Sequence, residues 1–432
     1  MDAERANVLV EQWQAQLAEK PGSFIETVDF HDRVYDPESV PILVQFLSDK
    51  LSRCSVALLN DIIASLPTEK GLQVLGGFAT LFKDVPLVEL NVSDNAIGKQ
   101  GLDLVSFQTL LKCKTLERLY MENNGLDEDC MKQLAEILLE EDDDDTCVCD
   151  RLTLLHFFNN MSGIGGARAV GTIVARCRKL QSFRYEGCRP QPIGCQSIAN
   201  GVLKCSQNCD TLTTVRLEGS YGKDESLDPI GTLTLAFQNF SQLTHVTLYD
   251  AALESKGTKL LCKSLKRHTL QSFEIPQNEV TKMTVDKAIK DLVKGNTTSL
   301  KVLNLSSNEL TSTGVESLMG AFQEGNTVLE ILKLGENMIG TRGAMSLIDN
   351  AGKFPFLKEL HVDDNGFPED VVDQLREAFG EKLIEMENND DDDKDDDLDS
   401  DANDEEDDES DDESDDDDVD NLTQQFDSQV HV

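Results

Sequence analysis

Two stretches of this chain are copies of one unit, and their spacing limits what the chain can fold into. Leu90-Asn91-Val92-Ser93-Asp94-Asn95-Ala96-Ile97-Gly98 and Leu119-Tyr120-Met121-Glu122-Asn123-Asn124-Gly125-Leu126 stand 29 residues apart. Each reads as a short strand with apolar residues at its first and third positions, a turn built around Asn, and an apolar residue that starts the return path. A length of 432 residues would suit two or three globular domains, but a fixed internal period overrides that and implies one elongated array.

The pattern is that of a leucine-rich repeat. Positions one and three point into the solenoid and position six turns its amide inward, so positions two, four and five face outward on the concave side. Asn124, at position six, is then structural, because its amide can hydrogen-bond turn backbone that has no strand partner. Asn123, at position five, has no such task, and its loss is expected to move stability little. An exposed Asn beside a buried one marks a candidate for chemistry.

Position six falls at Asn95, Asn124, Asn160, Cys188, Ser220, Ala251, Asn278, Asn308, Asn337 and Asn365, in steps of 29, 36, 28, 32, 31, 27, 30, 29 and 28 residues. The Asn members form the expected structural ladder. Two degenerate units without the Asn precede them, at Val28–Arg33 and Val56–Asp61. Repeats of about 20 to 24 residues return by extended or 3₁₀ segments, whereas 28 or 29 leave room for a helix. The expected fold is therefore α/β: a leucine-rich-repeat crescent with a parallel concave sheet and outer helices. Leu102, Val105, Leu110 and Leu111 are spaced for one buried helical face, as are Leu318, Ala321 and Phe322.

Residues 1–23 read as a helical cap over the first repeat, with Val8, Leu9, Trp13 and Leu17 at helical spacing. Residues 24–384 hold the repeats. The long step of 36 contains the acidic run Glu140–Asp145, expected to be a solvated loop, either a harmless insertion or a partner contact. Residues 385–432 form an acidic tail with too few apolar groups to fold. Ser410 and Ser414 within it precede acidic residues and suit an acidophilic kinase, and a short piece with Leu422 and Phe426 ends the sequence.

The formal charge is −42, and between Glu385 and Asp420 25 acidic residues against the single Lys394 account for −24 of it, leaving −18 elsewhere. Nucleic acid would be repelled by both parts, so basic proteins are the expected partners. Eleven cysteines without a secretory signal or C-x-x-C spacing read as buried, reduced thiols in a cytosolic or nuclear protein. No run of roughly 20 apolar residues is present to cross a membrane. The six histidines fall mostly in non-neighbouring repeats, which argues against a metal triad or a Cys/His couple, and Gly163, Gly165 and Gly166 do not fit a phosphate loop. No cofactor is expected, and no catalysis by this chain alone.

The outward positions give a mixed wall. Tyr120, His156, Arg184 and Arg216 occupy position two in four successive units, and Glu122, Glu186 and Glu218 occupy position four in three of them. Such alternation serves either solubility or protein contact. Asp94, Tyr120, Glu122, Asn159, Arg184 and Glu186 are the contact candidates around Asn123.

The two copies quoted first, with Phe157-Phe158-Asn159-Asn160-Met161-Ser162-Gly163 as the next repeat, resemble the Ran GTPase-activating protein family, over roughly residues 25–420 and including the acidic tail. The resemblance implies a monomer that binds the small GTPase Ran in its GTP form, with a Ran-binding protein as a further partner. It implies that Asn123 reaches Ran's active site and helps position Ran's own catalytic Gln, without an arginine finger, in support of nucleocytoplasmic transport. It also implies that the tail aids association with Ran's basic surface. One departure is Leu66, in Ile62-Ile63-Ala64-Ser65-Leu66-Pro67, where the family usually carries Arg. With no domain for anchoring to the nuclear envelope, the expected location is cytoplasmic, extending to perinuclear. Two other readings are an acidic leucine-rich-repeat histone chaperone, which the repeat length disfavours, and an inhibitor scaffold of the ribonuclease-inhibitor type, which needs no acidic tail.

Overall fold

The computed structural model describes residues 1–19, 22–223, 226–323, 327–384 and 386. The chain divides into two units, Met1–Asp395 and Asp396–Val432. The second, with Ser410, Ser414 and the piece at 421–432, lies outside the described residues.

Twelve strands form one sheet in sequence order, and every neighbouring pair is parallel. They are β1 Thr27–Asp29, β2 Val56–Leu58, β3 Glu89–Asn91, β4 Arg118–Tyr120, β5 Leu154–Phe158, β6 Ser182–Glu186, β7 Thr214–Glu218, β8 His245–Tyr249, β9 Ser272–Glu274, β10 Val302–Asn304, β11 Ile331–Lys333 and β12 Glu359–His361. Positions one and three are buried in each unit, as in Leu90 and Val92 or Leu119 and Met121, and with the helices they make one continuous core. The second degenerate unit is corrected by one residue, since Ala57 pairs with Leu90, and Ala57 and Leu59 are buried while Val56 and Leu58 are half-buried. Asn60 therefore stands at position four and Asp61 at position five. Strands pack about 4.8 Å apart and helices about 8–10 Å apart, so an array with both must bend toward its strands.

The Asn ladder joins these units. Asn95 Nδ2 is shared among the carbonyls of Leu59, Val92 and Ser93 at 2.7–3.0 Å, while its Oδ1 accepts from Ile62 N at 2.9 Å and Ile63 N at 3.1 Å. Asn124 Oδ1 accepts from Asn95 N, and Asn160 Oδ1 from Asn124 N. Asn278, Asn308, Asn337 and Asn365 repeat the pattern. Through Cys188, Ser220 and Ala251 the ladder has no amide. There the sheet changes: β5 to β8 run five residues each, against three in every other strand.

Position five has a backbone signature that the repeat pattern alone does not reveal. All twelve residues there adopt the left-handed conformation, from φ +45° at Asp250 to +129° at Gly219. Nine of the twelve are Asp, Asn or Gly, the types that tolerate it most readily. Asn123, at φ +49°, therefore has a structural task as well as an exposed one, which corrects the expectation above.

Other expectations need local correction. The helical cap Ala3–Glu19 presents Leu9, Trp13 and Leu17 to the core, and Trp13 stacks on Phe46 with ring centroids 5.9 Å apart, but Val8 faces outward. The helix expected through Val105 is broken into Gly98–Leu102 and Val105–Leu111, which leaves Val105 76% exposed. The Glu140–Asp145 run is exposed but fastened: Lys112 pairs with Glu140, Lys114 with Asp142 at 3.4 Å, and Arg176 with Glu141 at 3.0 Å. Cations from the flanking units offset the like-charge repulsion. Backbone N–H donation from Thr146 holds the Asp142 carboxyl down at about 2.

Leu66 packs half-buried against the core. All eleven cysteines are free thiols, ten of them buried. After the last helix the chain returns to the sheet, where Leu383 bridges Leu360 and Ile384 N donates to Leu360 O at 3.0 Å.

Candidate functional site

Asn123 follows β4 at the point where the chain leaves the sheet. Its neighbour Asn124 is fully buried, whereas Asn123 is exposed. The two side chains thus face opposite ways, because a residue in the left-handed conformation ends the strand and directs its side chain to the rim.

The exposed amide is not free-standing. Asn123 Nδ2 donates to Asp94 Oδ1 at 2.9 Å in the preceding unit, and Asn123 Oδ1 accepts from Asn159 Nδ2 at 3.1 Å in the next. Asp94, Asn123 and Asn159 occupy position five in three successive units and form one hydrogen-bonded row. An amide carries two N–H bonds and two acceptor sites, so this row leaves one of each on Asn123 for another molecule.

Beneath the row lies a network of charges. Arg184 reaches Glu122 at 3.1 Å and also pairs with Glu186, and Arg216 reaches Glu186 at 3.2 Å. Glu186 is only 5% exposed, so this contact candidate is an internal anchor for two arginines and not an outward-facing group. Glu218 accepts from Gly187 N at 2.7 Å, and burial raises its carboxyl above the usual range. His156 stands edge-on to Tyr120 at 5.3 Å between centroids, and its Nε2 lies 2.9 Å from Ser182 Oγ. Burial first, and then Arg184 and Arg216, lower the imidazole to about 4. Tyr120 is half-buried, and burial raises its hydroxyl.

One residue escaped the sequence reading. Phe158, at outward position four in β5, is 36% exposed and lies under the Arg184 guanidinium, 4.2 Å from ring centroid to Cζ. Applying the position-four rule to this unit, as was done for Glu122, would have picked it out.

Chemically, the site can hold and orient a polar group through a fixed amide. Among the described residues no group of three or more His, Cys, Asp and Glu is placed to hold a metal ion, and no helix is long and apolar enough to cross a membrane.

A sequence profile described as Leucine Rich repeat matches residues 85–106, 296–319 and 325–347. Ribonuclease inhibitor of Sus scrofa is 26% identical over 347 residues, 74% of this chain and 73% of that protein. NACHT, LRR and PYD domains-containing protein 3 of Rattus norvegicus is 26% identical over 252 residues, 58% of this chain but only 20% of that protein. RAN GTPase-activating protein 2 of Arabidopsis thaliana is 29% identical over 145 residues, 32% of this chain and 26% of that protein. The chain therefore spans about three quarters of the first relative's length and about a quarter or less of the other two. With its repeated Asn turns, its single twelve-stranded parallel sheet and its outer helices, this chain is a leucine-rich-repeat protein.

Proposed function

We propose that the chain is a GTPase activator for the small GTPase Ran in its GTP form, acting in trans in the cytoplasm and supporting nucleocytoplasmic transport. The observation that carries this reading is Asn123: an amide exposed to a partner yet held on both sides by Asp94 and Asn159. Hydrolysis of GTP requires an attacking water oriented by the GTPase's own Gln, and a rigidly placed donor and acceptor can fix that Gln by hydrogen bonds. The partial likeness to RAN GTPase-activating protein 2 supports the same reading. No group of this chain enters the covalent chemistry. Single-turnover GTP hydrolysis by Ran, with and without the protein, is the test, and a rate that rises with protein concentration to a plateau is the expected result.

The longer likeness to ribonuclease inhibitor favours a second reading, a protein-binding scaffold that leaves hydrolysis unchanged. An unaltered rate at saturating protein would select it.

A further inference from the structure

Outward position four is polar in most units of the sheet. It holds His31, Asn60, Ser93, Glu122, Glu186, Glu218, Ser306 and Asp363, with Pro276 and Gly335 in two further units. Two units carry an exposed aromatic ring there, Phe158 and Tyr249, of which Phe158 alone lacks a polar group. Three residues on, Met161 leaves the same turn 70% exposed, where the two preceding units carry the small residues Ala96 and Gly125. Two exposed large apolar groups three residues apart on one turn, a pairing that no other described unit shows, need a reason beyond solubility.

The surroundings of Phe158 are arranged to hold the ring and keep it uncovered. The Arg184 guanidinium stacks on one face and is itself fixed by Glu122 and Glu186. In the following unit, position five is Gly187 at φ +66°. A Cβ there would lie 2.9 Å from Asn159 N and 3.1 Å from Asn159 Cα, so any side chain would crowd the backbone of the row, and at 3.5 Å from Phe158 Cε2 it would cover that edge of the ring by ordinary contact. The glycine keeps the next unit clear of both. A ring with few remaining rotamers and a buffered face loses little entropy on binding.

We propose that Phe158 and Met161 form the apolar anchor on which the GTPase docks, beside Asn123 and distinct from it in role. This assignment rests on the function proposed above. The occupant is a folded protein presenting an apolar side chain next to a basic strip. Asp32, Asp61 and Asp94 occupy position five in the three units before Asn123, and they supply the complementary charge on that side. The anchor sets affinity, while Asn123 sets the rate at saturation, since Phe158 and Met161 bring no polar group to the reacting atoms.

The experiment is a titration of Ran·GTP hydrolysis with the parent protein, with the double variant Phe158→Ser/Met161→Ser, and with Phe356→Ser, an exposed Phe just before β12 that serves as control. Matching melting curves establish that all three are folded. The anchor variant should raise KM about tenfold or more and keep the saturating rate within about twofold of the parent. Phe356→Ser should leave both constants unchanged. An unchanged KM in the anchor variant, beside normal stimulation by the parent, overturns the anchor and leaves the function standing. No stimulation by the parent overturns the function, and the anchor with it.

Discussion

Asn123 donates Nδ2 to Asp94 Oδ1 at 2.9 Å across two strands, and because a carboxylate only accepts, this one bond decides which way the Asn123 amide points. The orientation then passes on: Asn123 Oδ1 must face Asn159, which turns its own Nδ2 toward it. The row is polarised by a single charge at its end.

Asp94→Asn keeps a residue that tolerates φ +60° but removes this instruction, since an amide can meet Asn123 either way round. The maximal stimulated rate of GTP hydrolysis should fall roughly tenfold, less than on loss of Asn123 itself, while KM changes little. A parent-like plateau in the titration would deny Asp94 a positioning role.

Asn123→Ala and Asn124→Ala should separate chemistry from stability. Asn124→Ala removes a buried amide and leaves turn groups unpaired, a loss of about 1–3 kcal/mol. Asn123→Ala forces a Cβ-bearing residue with no polar side chain to keep φ +49°, a cost of about 1 kcal/mol. Asn123→Gly avoids that cost and is the cleaner probe. Denaturant titration should rank Asn124→Ala as least stable, and single-turnover hydrolysis at saturation should rank both Asn123 variants as least active.

His156 gives the fold a pH dependence on the acid side. Its folded pKa, about 4, lies below the ordinary 6.5, so the unfolded chain takes up the proton first as pH falls. Its contribution is complete above about pH 6.5 and is lost progressively down to about pH 4, by roughly 3 kcal/mol at 1.4 kcal/mol per pKa unit. His156→Gln should flatten the stability profile across that window, as read from denaturant midpoints at several pH values. Parallel profiles for the two proteins would refute it.

The acidic segment beyond Met386 should act on association alone. A polyanion of net −24 between Glu385 and Asp420 steers a basic partner at long range, an effect screened within about 10 Å at 0.1 M salt. Truncation after Met386, which packs half-buried against the core, should leave the melting temperature unchanged and slow association with Ran most at low salt, as measured by stopped-flow mixing. Equal rates at low ionic strength would exclude steering.

Much of the architecture was written in the sequence because the strand period and the 29-residue step act locally and repeat. Alternation at Leu90 and Val92 or Leu119 and Met121 predicts burial without knowledge of the rest of the fold. What stayed hidden depends on backbone conformation or on partners from other units. The positive φ of Asn123 leaves no mark on hydropathy, although the run of Asp, Asn and Gly at position five was a usable sign. Glu186 reads as a surface charge until Arg184 and Arg216 close over it from their own strands. Val105 fits a helical face by spacing, but the helix breaks just before it. Phe158 was legible from its place at position four, whereas the Arg184 guanidinium that covers one face of its ring comes from the next strand and leaves no local mark.

The interval from Cys188 to Ala251, where side-chain amides give way to longer strands, divides the array into two lengths stitched by different means. From Asn95 to Asn160 and from Asn278 to Asn365, neighbouring turns are cross-linked by buried amides; between Cys188 and Ala251 the turns are held by main chain, as in Tyr221 N to Ala251 O at 2.9 Å, and by the Glu218 carboxylate, which accepts from Gly187 N at 2.7 Å. A one-dimensional stack opens where nearest-neighbour coupling is weakest. The longer strands β5 to β8 compensate in the sheet, so native-state hydrogen exchange should find the turn amides of these central units opening before those of the Asn-linked turns, while their strand amides stay protected.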